Sequence, residues 1–283
     1  MALVEARRPL NMLDTEVLDG ALTEASATTI EITSGAKVGR YTGDFTYDNF
    51  GNIFGQIRGY ETLENGTLTG SVSGFSVDAQ KFLGLLSAED VDGIYELILA
   101  RGDRFEGSSG RDQLLGFNGA DRMEGNGGRD DLYGGKGKDS LNGDDGNDKL
   151  FGEEGNDVLE AGKGGDKLIG GAGADRLVGG TDSARDTFIF EAASDSRTKA
   201  QDTIENFSRN LDRLDLRGTD ADESTGGDER FLWAGKNADA HSVWWTDSGK
   251  GVVLSADVNG DRGADLKILL AGIHSIGESD LLL

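Results

Sequence analysis

Aspartate recurs every nine residues through the middle of this chain, at Asp112, Asp121, Asp130, Asp139, Asp148, Asp157, Asp166 and Asp175. A carboxylate repeated at so short and regular an interval is suited to a hard cation, above all Ca²⁺, which takes six to eight oxygen ligands from carboxylates and backbone carbonyls. Other chemistries lack their parts. There is no cysteine, so neither a thiolate metal site nor a disulfide framework is available. The two histidines, His241 and His274, have no glutamate in H-E-x-x-H spacing, and no G-x-S-x-G elbow or phosphate loop occurs. Aspartate and glutamate are so abundant that no pair stands out for a carboxylate-only glycosidase. The sequence offers metal binding, and no catalytic constellation that would make it an enzyme.

The elements that must position these carboxylates follow from the same period. Residues 107–178 divide into eight consecutive nine-residue units without insertion or deletion. The fourth position is always glycine, from Gly110 to Gly173, and the first is glycine except for Ala161. Two places after each aspartate stands an apolar residue: Leu114, Met123, Leu132, Leu141, Leu150, Leu159, Leu168 and Leu177. A strand as short as Ser140-Leu141-Asn142 has no stability alone, so its leucine must pack against those of neighbouring coils. An isolated G-x-D triplet would mean only a turn, but eight in register predict a parallel β-roll, with a metal-free solenoid as the alternative. If two units make one coil, loops i and i+2 stack on one side and eight units offer roughly six inter-loop calcium sites. A degenerate unit precedes the array at Gly102-Asp103-Arg104-Phe105, with Arg101 where the fourth-position glycine belongs.

Charge points the same way. The chain of 283 residues carries a formal −24, which disfavours nucleic acid and anionic membrane surfaces as partners and favours cations. Residues 107–178 hold 15 acidic and 9 basic side chains, a net of −6, which roughly six Ca²⁺ would reverse. Folding of the array should therefore depend steeply on calcium, at the roughly 0.1 to 1 mM typical of extracellular modules.

An all-β architecture in three parts is expected. Residues 1–101 form a β-rich N-terminal cap, in which residues 28–78 alternate apolar and polar positions as a meander would, and a short helix starts at the Ser87 and Asp90 capping pattern. Residues 102–180 form the roll. Residues 181–283 read as a β-sandwich-like C-terminal cap, with strands near residues 187–190, 214–216, 243–245, 251–254 and 266–270. Trp233, Trp244 and Trp245 read either as core or as a sugar-stacking platform. Asp257, Asn259, Asp261 and Asp265 are spaced as positions 1, 3, 5 and 9 of a calcium loop, although Arg262 stands where its glycine belongs. No run of residues is apolar enough for a membrane span, and Arg7, Arg8 and Pro9 interrupt the place where a cleaved signal would need its apolar core.

These residues resemble the RTX family, bacterial proteins exported by type I secretion, and from about Gly102 onward the chain is similar to the C-terminal domain of serralysin-type metalloproteases. Beyond the repeats the resemblance rests on Asp186-Thr187-Phe188-Ile189-Phe190, Asp202-Thr203-Ile204-Glu205-Asn206-Phe207, Asp212-Arg213-Leu214-Asp215-Leu216 and the loop at Asp257. It implies a further calcium on Asp195 and Asp202, and an uncleaved export signal at Asp280-Leu281-Leu282-Leu283. The zinc helix of the proteases is missing from these residues.

The function expected is that of an extracellular calcium-binding protein, secreted without a cleaved N-terminal signal through the type I machinery, that folds on meeting calcium and serves adhesion, matrix attachment or host contact. One alternative is a carbohydrate-active protein that binds or cleaves a polysaccharide through the N-terminal sheet or the tryptophans. Another is a carrier whose sole business is secretion and calcium-triggered folding.

Overall fold

The structure, a computed structural model, describes residues 99–222 and 229–283 throughout and, within the first 98 residues, the backbone of six strands. The helix expected at Ser87 lies outside the described residues.

The nine-residue units fold as their pattern demands. Each contributes one short strand centred on its apolar residue, and alternate units feed two facing parallel sheets. One sheet takes Gln113–Leu115, Asp131–Gly137, Lys149–Gly155 and Lys167–Ala172. The other takes Arg122–Glu124, Ser140–Asn142, Val158–Glu160 and Arg176–Val178. Two units thus complete a coil of 18 residues, and like pairs with like across coils: Leu114 with Leu132, Leu132 with Leu150, Met123 with Leu141, Leu141 with Leu159. All eight apolar residues are fully buried, forming two facing columns between the sheets. Burial of each stabilises by about 1.5–3 kcal/mol, which no three-residue strand could gain without its neighbours.

Both columns outlast the repeat. In the first sheet Leu168 pairs with Phe188, Phe188 with Leu214 and Leu214 with Leu281. In the second, Leu177 pairs with Ile204 and Ile204 with Leu270. Only then does the second sheet turn antiparallel, through Leu266–Ala271, Gly251–Ala256 and Ser242–Asp247, with Leu232–Gly235 at its edge. The sandwich-like C-terminal cap is therefore built from the same two sheets as the roll. Trp244 and Trp245 lie inside it, each 8% exposed, which is the core placement rather than an open platform.

At the other end Arg104–Glu106 adds Phe105 to the second column and pairs in parallel with Leu3–Ala6. That strand pairs antiparallel with Thr67–Asp78, the last strand of a meander running through Thr29–Ser34, Lys37–Tyr47 and Ile53–Glu64. The N-terminal strands thus continue the roll's own sheet, which removes its open edge there. Among the described residues the one helical element is the 3₁₀ turn Glu278–Asp280, and no helix is long and apolar enough to cross a membrane.

Candidate metal centre

The aspartates stand at the corners where the coils turn, and each links two coils. In one loop column the backbone N–H of Asp103 donates to Asp121 Oδ1 at 2.6 Å, Asp121 to Asp139 at 2.7 Å, Asp139 to Asp157 and Asp157 to Asp175, both at 2.8 Å. In the opposite column Asp112 N–H donates to Asp130 Oδ1 at 2.7 Å, Asp130 to Asp148 at 2.8 Å and Asp148 to Asp166 at 2.7 Å. One oxygen of each accepting carboxylate is thus spent on fixing its register against the preceding coil, in a charge-assisted bond.

The second oxygen is the informative one. Oδ2 of Asp121, Asp130, Asp139, Asp148, Asp157, Asp166, Asp175 and Asp202 is buried and accepts no hydrogen bond. Burial, reinforced by neighbouring carboxylates, pushes Asp121 and Asp202 up to about 8, Asp130, Asp157 and Asp166 to about 7, and Asp148 and Asp175 to about 6. Burial raises Asp139 as well. An ionised carboxylate oxygen held away from water without a partner is strongly destabilising unless a cation meets it.

The first-position glycines show where that cation fits. A side chain on Gly125 would lie 2.8 Å from the Gly143 carbonyl oxygen of the next coil and 2.9 Å from Asp130 Oδ2. On Gly134 it would meet Asp139 Oδ2 at 2.6 Å and the Gly152 carbonyl at 2.9 Å. On Gly143 it would meet the Ala161 carbonyl at 2.5 Å and Asp148 Oδ2 at 2.8 Å. Each missing Cβ therefore leaves a cradle lined by oxygens from two successive coils. Among the described residues no three His, Asp or Glu side chains converge, so the donor set is a few carboxylates completed by carbonyls. Oxygen-only, partly neutral coordination of this kind fits Ca²⁺ and does not fit zinc. Asp121, Asp130, Asp139, Asp148, Asp157, Asp166 and Asp175, whose second oxygens are left over, are the residues that would hold it.

The ladder also runs beyond the repeat. Asp175 N–H donates to Asp202 Oδ1 at 2.8 Å, while Asp166 donates to Asp186 and Asp186 to Asp212, each at 3.0 Å. Asp186 and Asp212 are ladder members that the nine-residue period could not reveal, because the spacing stretches to 20 and then 26 residues. Of the Asp195 and Asp202 pair, Asp202 is the buried continuation of the ladder. Asp195 is half-buried and accepts the N–H groups of Glu191 and Ala192 at 2.8 and 3.0 Å. Its charge reaches both Asp175 and Asp202, raising each, so the pair is close electrostatically.

The loop at Asp257 is braced by its own backbone N–H groups. Asp257 is fully buried, and its two oxygens accept the N–H groups of His241, Asn259, Gly260 and Arg262 at 3.0 to 3.2 Å. Asp265 accepts Val258 N–H and the Asn259 amide, and Asp261 accepts Gly263 N–H. Arg262 takes the left-handed conformation, φ 65°, where a glycine was expected. These carboxylates hold the loop by collecting N–H donors. At the tail, Asp280 is buried and accepts Asn210 N–H at 2.7 Å, and Leu281–Leu282 completes the first sheet beside Arg213–Asp215.

The family described as Peptidase M10 serralysin C terminal matches residues 65–283. No curated protein matches the chain. Among solved structures, the chain is similar to the AlgE6R2 subunit of the Azotobacter vinelandii mannuronan C5-epimerase, with 25% identity over 63% of this chain and 91% of that one and a TM-score of 0.33. The AlgE6R3 subunit of the same epimerase is 27% identical over 54% and 77%, with a TM-score of 0.25. Extracellular lipase LipA from Serratia marcescens is 16% identical over 65% of this chain and 38% of that one, with a TM-score of 0.31.

Proposed function

The chain belongs to the peptidase M10 serralysin C-terminal family, and from that premise we propose that it is a secreted calcium-binding RTX protein whose roll folds when it meets calcium outside the cell. The observation that carries this reading is the column of buried aspartate oxygens without hydrogen-bond donors beside carbonyl-lined cradles. At neutral pH such a stack of charge resists folding until divalent cations neutralise it. The −6 of residues 107–178 sets the demand, and roughly six Ca²⁺, about +12, exceed it.

The consequence is a switch between compartments. Where free calcium is scarce the array stays open and can pass a type I exporter as an extended chain; at external calcium it closes. The tail that resembles an export signal is a sheet strand in the folded protein, so its recognition precedes folding. Outside the cell the reading is a role in adhesion, matrix attachment or host contact, with the N-terminal antiparallel sheet as cap or recognition surface. The buried placement of Trp244 and Trp245 gives no support to a tryptophan-based polysaccharide site.

Far-UV circular dichroism during a calcium titration of the chelator-stripped chain tests the proposal, with magnesium as control. A cooperative gain of β signal near about 1 mM calcium and none with magnesium is the expected result. An unchanged spectrum would overturn it.

A further inference from the structure

The two loop columns are not equivalent. In the column of Asp121, Asp139, Asp157 and Asp175, every second oxygen is left over, and Asp202 continues this pattern. In the opposite column only Asp130, Asp148 and Asp166 keep theirs. The other three members have theirs occupied. Asp112 Oδ2 accepts the N–H of Ser108 at 2.6 Å and its hydroxyl at 2.9 Å. Asp186 Oδ2 accepts Gly180 N–H at 2.8 Å, and Asp212 Oδ2 accepts Ser208 N–H at 2.7 Å.

The backbone shows the same division. The second residue of a unit is left-handed in seven of the eight, at Phe117, Asn126, Gly135, Asp144, Glu153, Gly162 and Gly171, with φ from 63° to 96°. Ser108 is the exception, absent from the left-handed positions. Left-handed backbone at a phenylalanine or a glutamate is held only where the surroundings dictate it. Its persistence in seven loops marks a common open form. Where the loop abandons it, an N–H turns onto the carboxylate, putting a positive hydrogen where a cation would approach.

We propose that calcium fills the two columns unequally. From Asp121 onward, four inter-loop positions load in the first column, between Asp121 and Asp139, Asp139 and Asp157, Asp157 and Asp175, and Asp175 and Asp202. Two load in the second, between Asp130 and Asp148 and between Asp148 and Asp166. The loops of Asp112, Asp186 and Asp212 close on themselves and end the second column at both ends. The inference rests on the calcium reading above but adds which loops hold the ions, and Ser108 is the residue that stops the second column at its start.

Native mass spectrometry of the full calcium-loaded chain counts the ions, with magnesium-loaded protein subtracted for surface binding and circular dichroism confirming the fold of each variant. Asp112→Asn should leave the count unchanged, Asp130→Asn and Asp202→Asn should each lower it by at least one, and Ser108→Gly should raise it by one. Should Asp130→Asn or Asp202→Asn fail to fold, Asp112→Asn and Ser108→Gly decide alone, since both alter a loop at the start of the array. An ion lost from Asp112→Asn would overturn the unequal filling while leaving calcium binding standing. A wild-type chain that binds no calcium would overturn both.

Discussion

Acid should substitute for calcium in folding the roll, and Asp202 shows by how much. This residue is completely buried and its carboxyl is raised to about 8, against about 3.9 for an aspartate in an unfolded chain. The four-unit difference disfavours the folded state by about 5 kcal/mol once the group is ionised without a cation, comparable to the whole stability of a small domain at about 5–15 kcal/mol. Asp121, Asp130, Asp148, Asp157, Asp166 and Asp175 are raised in the same sense. A folded-state value above the unfolded one gives stability fully present below about pH 4 and lost progressively as pH rises to between about 6 and 8. Glu124, Asp131 and Asp215 are held low by arginine or lysine partners and act oppositely, their contribution fading below about pH 4. The metal-free chain should therefore be most folded near about pH 4 and should open towards neutrality, while the calcium-loaded chain stays folded there. Far-UV circular dichroism of resin-stripped protein across this range measures it. A metal-free chain with as much β signal at pH 8 as at pH 4 would refute the reasoning, because the buried oxygens would then carry no penalty.

Two further perturbations test the architecture. Gly137 has φ +146°, and a Cβ there would run into the Gly119 carbonyl of the preceding coil; with about 1–3 kcal/mol of strain shared over roughly six bound ions, Gly137→Ala should raise the calcium midpoint of folding about 1.3- to 2.3-fold in the same titration. Asp257→Asn removes one of two oxygens that between them hold four N–H groups; it should destabilise the C-terminal cap by about 1–3 kcal/mol in thermal denaturation and leave the bound calcium count unaltered.

The roll itself was legible in the residues because its information is local and repeated. Glycine, aspartate and leucine at fixed places in nine residues state the turn, the ligand and the core in every unit, and pairing like with like leaves one arrangement that buries all eight apolar side chains. Tertiary structure decided the course of the chain beyond residue 178. The ladder continues there through Asp202, Asp186 and Asp212 at spacings of 27, 20 and 26 residues, since intervening loops vary in length while the strand pairing restores the register. No period in the sequence reports that. The state of each carboxylate was likewise invisible in the sequence: Asp112 and Asp130 occupy the same place in their units, yet Ser108 N–H occupies the second oxygen of one and the other is left over. The difference goes with one backbone torsion at the loop's second residue, left-handed at Asn126 and not at Ser108.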